Sequence, residues 1–169
     1  SIEEMDPNQV LDIDFEDPTV PGGVSSWRAD IDLTQNAALG QQALKIVNEA
    51  NPQLQDSLMG SVSYEIGGGS LLEKKDTTGD VYELSFQYAT DHSNLDTVEL
   101  FFYLSWWNDD SQNPNLLLTQ IQAETGTPYT SCTVRFTPDE TNWIWSPKLV
   151  IGIKAKNAET LYVDEIALK

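Results

Sequence analysis

The chain has 169 residues, with 27 Asp and Glu against 9 Lys and Arg and a formal charge of −18. Phosphate backbones and anionic lipid surfaces are held by clustered cations, so this balance argues against nucleic acid and membrane partners. At 40% hydrophobic residues, with five Trp, six Tyr and five Phe, the chain can fill the single core expected at this length, and no apolar run nears the roughly 18 residues of a membrane span.

Residues 1–8 are acidic, contain Pro7 and show no periodicity, and are expected to be a linker remnant of a longer chain, leaving 9–169 as one domain. The start also lacks the basic and apolar regions of a signal peptide. A short strand is expected over 11–16. Asp12, Asp14 and Glu16 then fall on one face, where like charges repel unless they meet solvent or a cation such as Ca²⁺. Trp27 is expected to be structural, near a sandwich edge.

Short strands are predicted over 42–47 and 60–66. Over 81–90, Tyr82, Leu84, Phe86 and Tyr88 alternate with Glu83, Ser85 and Gln87, the pattern of a half-buried strand. His92 is the sole histidine and sits in a polar run that reads as an exposed loop. Residues 97–107 form the most informative strand. Val98, Leu100, Phe102, Leu104 and Trp106 make a core face, and Glu99, Phe101, Tyr103, Ser105 and Trp107 lie opposite.

Residues 108–128 read as an insertion-like stretch. The spacing of Leu117, Leu118 and Ile121 within 114–124 suits either a helix or a strand. Further strands are predicted over 130–137, where Cys132, Val134 and Phe136 oppose Arg135, and over 149–156 and 160–168. Cys132 reads as a buried structural thiol. Trp143 and Trp145 share a face, one expected in packing and the other on a rim, with Pro147 interrupting the strand. Turn clusters such as Pro21-Gly22-Gly23, Thr78-Gly79-Asp80 and Asn113-Pro114-Asn115 separate the strands. Many short strands so punctuated predict an all-β, two-sheet antiparallel sandwich.

Aromatic rings interleaved with polar groups on a non-core face suit a sugar. Pyranose C–H faces stack on rings, and the hydroxyls need donors and acceptors between them. Phe101, Tyr103 and Trp107 would be the rings. Glu99 would supply polar contacts, joined by Glu83, Gln87 and Arg135 if their strands share the sheet. The alternative is that 108–128 folds over Phe101 and Tyr103 as a second small core.

Phe15-Glu16, Ser26-Trp27, Gly40-Gln-Gln-Ala-Leu-Lys-Ile-Val47, Tyr82-Glu-Leu-Ser-Phe86 and Leu161-Tyr-Val-Asp-Glu-Ile-Ala-Leu168 occur in this order. Together they resemble the jelly-roll carbohydrate-binding modules of families 4, 16 and 22, over nearly the whole chain from residue 10. The resemblance implies a galactose-binding-domain-like jelly roll. It implies a structural calcium bridging the first and last strands, at Glu16 and Asp164, although Glu165 stands where the family has a second Asp. It also implies noncatalytic binding of a polysaccharide or oligosaccharide by a monomeric, extracellular or cell-surface module tethered to other domains. The net charge favours a neutral β-glucan or xylan over a polyanion. Two other readings are weighed: a jelly-roll glycosidase or lyase pairing Glu83 with Glu99, and a structural domain of a secreted protein with no glycan ligand.

Overall fold

The computed structural model describes residues 9–17, 22–49, 60–67, 70–90, 98–124, 126–155 and 157–169. Residues 1–8, assigned above to a linker, and His92 lie outside this set. Among the described residues there is no helix, and hence none long and apolar enough to cross a membrane.

Eleven strands are present among the described residues: β1 (Leu11–Ile13), β2 (Val24–Trp27), β3 (Ala29–Thr34), β4 (Ala43–Asn48), β5 (Gly60–Glu65), β6 (Tyr82–Thr90), β7 (Val98–Trp107), β8 (Asn115–Ala123), β9 (Thr130–Phe136), β10 (Trp145–Lys154) and β11 (Thr160–Leu168). One sheet runs β3-β4-β11-β6-β9, with β1 also pairing β11, and the other runs β2-β5-β10-β7-β8. Every pairing is antiparallel. The predicted two-sheet antiparallel sandwich is the observed architecture.

Period-two alternation builds the core. On β7, Val98, Leu100, Phe102 and Leu104 are each 1% exposed or less. They meet the inner residues of the facing sheet, among them Leu44, Ile46, Leu84, Phe86, Leu161 and Val163. Phe102 and Phe86 stack across the gap, with centroids 4.0 Å apart and planes at 16°. Cys132 is partly buried against the same core, and burial raises its thiol pKa, which agrees with a structural thiol.

Of the two alternatives for 114–124 the strand is the one present: β8 pairs with β7 and widens the sheet and does not fold over Phe101 and Tyr103. Two expectations need correction. The strand at 149–156 begins at Trp145, because a bulge between Trp145 and Lys148 carries the chain past Pro147 and turns the missing proline N–H away from the ladder. Trp143 and Trp145 are both more than a third exposed and stack on each other at 5.3 Å, while Ile144 between them is fully buried.

Candidate carbohydrate-binding face

Cross-strand partners share a face, so register alone assembles the outer surface of the β2-β5-β10-β7-β8 sheet. One row runs Trp27, Ser61, Gly152, Phe101, Gln120. The next runs Ser25, Ser63, Val150, Tyr103, Leu117. Ser61, Ser63, Gly152 and the buried Val150 therefore separate the Trp27 edge from the Phe101–Tyr103 ridge. Three strand spacings set those two walls about 14 Å apart, and Ser61, Ser63 and Gly152 floor the lane between them. A glycine inside a strand lets a ligand approach the backbone closely.

Trp27 lies on an edge strand of the sandwich, as expected, and is 56% exposed, sharing a row with Phe101. Its strand has only four residues, too few for a period to declare a face. Arg28, in a left-handed conformation with φ 52°, places its guanidinium 4.8 Å from the centre of the Trp27 ring. Gly60 permits this edge, since a Cβ there would come within 2.6 Å of the Arg28 carbonyl oxygen.

On the ridge, Phe101 and Tyr103 are half-buried at their bases. Burial raises the Tyr103 phenol above its ordinary pKa, so at neutral pH it is a hydroxyl able to donate and accept. Glu99 receives a hydrogen bond from the Gln122 amide (3.4 Å) and faces Lys154 (3.7 Å). The Ser105 hydroxyl donates to Asn113 (2.9 Å). Trp107, 48% exposed, pairs with Trp145 at the far end of the strand.

The loop beyond Trp107 is fastened from below. The Glu140 carboxylate accepts hydrogen bonds from the Trp106 indole (3.0 Å), the Asn142 amide N–H (3.0 Å) and the Asn108 side chain (3.4 Å). Burial by itself would raise the Glu140 pKa, but these donors outweigh it and the net shift is downward. Asn108 in turn caps the backbone N–H groups of Asp110 and Gln112. Asp109 then accepts from the Trp145 indole at 2.8 Å, fixing that ring.

Glu83, Gln87 and Arg135 are not part of this surface. They lie on β6 and β9, in the opposite sheet, where Arg135 pairs with Glu83 at 3.2 Å. Alternation put them correctly on an outer face, but of the wrong sheet. Glu83 and Glu99 consequently face opposite sides of the sandwich, which removes the carboxylate pair that a hydrolytic reading would use.

Glu16 and Asp164 sit near the β1–β11 pairing. Asp164 is fully buried. It accepts from the backbone N–H groups of Ala38 (2.9 Å), Leu39 (3.2 Å) and Glu165 (2.9 Å). Glu16 accepts from those of Gln41 (3.0 Å) and Gln42 (3.3 Å). Gly40, at φ 70°, lies against the Glu16 carboxylate where no Cβ would fit. Burial, and for Glu165 also the charges of Asp164, Asp14, Asp12 and Glu16, raises the pKa values of Asp164 and Glu165. This concentration of hard anionic oxygens suits a divalent ion such as calcium. The carboxylates are nonetheless satisfied by amides, and among the described residues no three His, Cys, Asp or Glu side chains are grouped to hold a metal.

Comparison with solved structures places the architecture. The chain superposes on the CBM22-1 xylan-binding domain of Paenibacillus barcinonensis Xyn10C with a TM-score of 0.68 and 15% identity, covering 95% of this chain and 93% of that one. The fold is that of a carbohydrate-binding module. The CBM22-1–GH10 modules of Clostridium thermocellum xylanase 10B, complexed with xylohexaose, match with a TM-score of 0.70 and 13% identity, over 96% of this chain and 28% of that one. A family 4 module matches with a TM-score of 0.58 and 15% identity, over 88% of this chain and 95% of that one. No family model and no curated protein matches the sequence.

Proposed function

We propose that this domain is a noncatalytic, extracellular carbohydrate-binding module. In this reading it holds a neutral polysaccharide or oligosaccharide, of β-glucan or xylan type, on the outer face of the β2-β5-β10-β7-β8 sheet. The carrying observation is the ridge of Phe101 and Tyr103 beside a lane of Ser61, Ser63 and Gly152. The rings stack on sugar C–H faces. Glu99, Lys154 and Gln120 exchange water for sugar hydroxyls, and Trp27 and Trp107 bound the surface. Modest affinity is expected, in the micromolar to millimolar range, because a hydrated, flexible chain loses entropy and water on binding. The module is expected to act as a monomer alongside other domains.

The test is retention in native affinity gels containing laminarin, xylan, mannan or glucomannan, with Trp fluorescence read in parallel. Retardation by at least one neutral glycan is the expected result. If none shifts mobility or emission, the glycan reading fails and the structural-domain reading replaces it.

We also propose that Glu16 and Asp164 hold calcium, in a stabilising and not a chemical role. The reading is supported by the Glu16 charge acting on Asp164 and by the charges of Asp164, Asp14, Asp12 and Glu16 acting on the adjacent Glu165. A ligand that binds only the folded state at a hundred times its Kd adds about 2.7 kcal/mol. Calcium is therefore expected to raise Tm by about 5–10 °C over a chelated sample. Equal Tm values with calcium and with EDTA would remove the ion from the account.

A further inference from the structure

At the end of the binding face where β5 closes, the rows described above run into a pocket of about 260 Å³. Its lining includes Glu65, Gly67, Glu73, Ser146 and Lys148. Glu65 and Lys148 are cross-strand partners, in the same row as Ser105 and one row beyond Tyr103. The pocket is therefore continuous with the ridge and lane.

The β10 bulge makes it. Ser146 takes a left-handed conformation, φ 48°. Its N–H donates to Glu73 at 3.3 Å, and the Pro147 carbonyl accepts from the Ile66 N–H at 3.0 Å. Both walls are thus tied by hydrogen bonds across the opening. The next residue back, Trp145, is fixed by Asp109 and stacked on Trp143, which sets a rigid aromatic rim beside the polar pocket.

We propose that this pocket seats one neutral sugar residue of the glycan held on the face, as a chain end or a side branch. The proposal rests on the glycan reading above. Pockets for drug-sized ligands measure roughly 300–1,000 Å³, so this smaller volume suits a single ring and not a length of chain. Two carboxylates and one ammonium offer acceptors and a donor for ring hydroxyls. Their net negative charge disfavours a uronic acid, whose carboxylate would meet Glu65 and Glu73.

Gly67 provides a clean block. It lines the pocket, and a Cβ added there meets nothing within 4 Å, so a larger side chain can start from this position without a clash at its Cβ. Titration calorimetry would compare xylohexaose with a xylo-oligosaccharide carrying single arabinofuranosyl branches. Gly67→Leu is expected to weaken binding about tenfold, the loss of one or two hydrogen-bonded contacts, and Glu65→Gln about threefold to fivefold. Loss on both probes assigns a chain end, whereas loss on the branched probe alone assigns a side branch. Thermal unfolding unchanged from the wild type excludes misfolding as the cause.

If both variants bind both probes as the wild type does while Tyr103→Ala loses about tenfold or more on both, the pocket inference is overturned and the face reading stands. If the wild type binds neither probe, the pocket inference is overturned, and the face reading falls with it only if no glycan of the affinity gels is retained either.

Discussion

Replacing Tyr103 with alanine is expected to weaken glycan binding by about tenfold to thirtyfold and to leave thermal unfolding nearly unchanged. Tyr103 stands between Val150 and Leu117 on the outer face, so its ring lies outside the core between the sheets. Truncating a central aromatic anchor of an interface costs about 1.5–2 kcal/mol or more, which sets that range. Arg135→Ala is the matched control. Arg135 is also an exposed residue on an outer face, paired with Glu83, but on the opposite sheet, and its loss is expected to leave affinity unchanged. Equal affinity of Tyr103→Ala and wild type for a retained glycan, measured by calorimetry, would disprove the ridge. A loss confined to Arg135→Ala would move the site to the other sheet.

The second large effect lies one residue away and has the opposite character. Phe102→Ala is expected to cost about 3–5 kcal/mol and to lower Tm by about 6–20 °C. Phe102 is fully buried, and its ring lies flat on Phe86 from the other sheet, 4.0 Å between centroids. The cavity left by alanine would open between two sheets that nine strand pairings among the described residues prevent from collapsing inward. Phe101→Ala, its neighbour, should instead spare Tm and lose ligand. A Tm for Phe102→Ala within 2 °C of wild type would refute the packing described here. Two consecutive phenylalanines with exchanged phenotypes are a direct reading of the strand's period.

That period was legible in the sequence wherever a strand was long enough to repeat it. It gave the inner and outer residues of β6, β7 and β9 before any coordinates, and hence Phe101, Tyr103 and Trp107. Which sheet a strand joins was not legible, because pairing is decided by partners distant in sequence, such as Glu99 with Lys154. Glu83 and Arg135 were therefore drawn to the wrong surface. The row that Trp27 shares with Phe101 was hidden for a related reason: β2 offers four residues, three of them exposed, and no period at all. The signal that could have exposed the lane was the small-residue pattern Ser61-x-Ser63 together with Gly152 inside an otherwise apolar strand. At Glu16 and Asp164 the sequence showed acids at either end of the chain, but the amides of 38–42 that bind them come from a loop that no pattern placed there.

The pairing of the first and last strands has a mechanical consequence. Leu11 lies opposite Leu168, and the Val10 N–H donates to the Leu168 carbonyl at 2.6 Å, so the two ends of the sandwich leave it side by side. They do so from the sheet that does not carry Tyr103. Any polypeptide continuing from both ends would hold the domain as a pendant on a single stalk instead of a bead in line, with the sheet that carries Tyr103 turned outward. Tension along such a polypeptide would act at one corner and would open β1 from β11 one rung at a time, leaving the ridge of Phe101 and Tyr103 outside the path of the load.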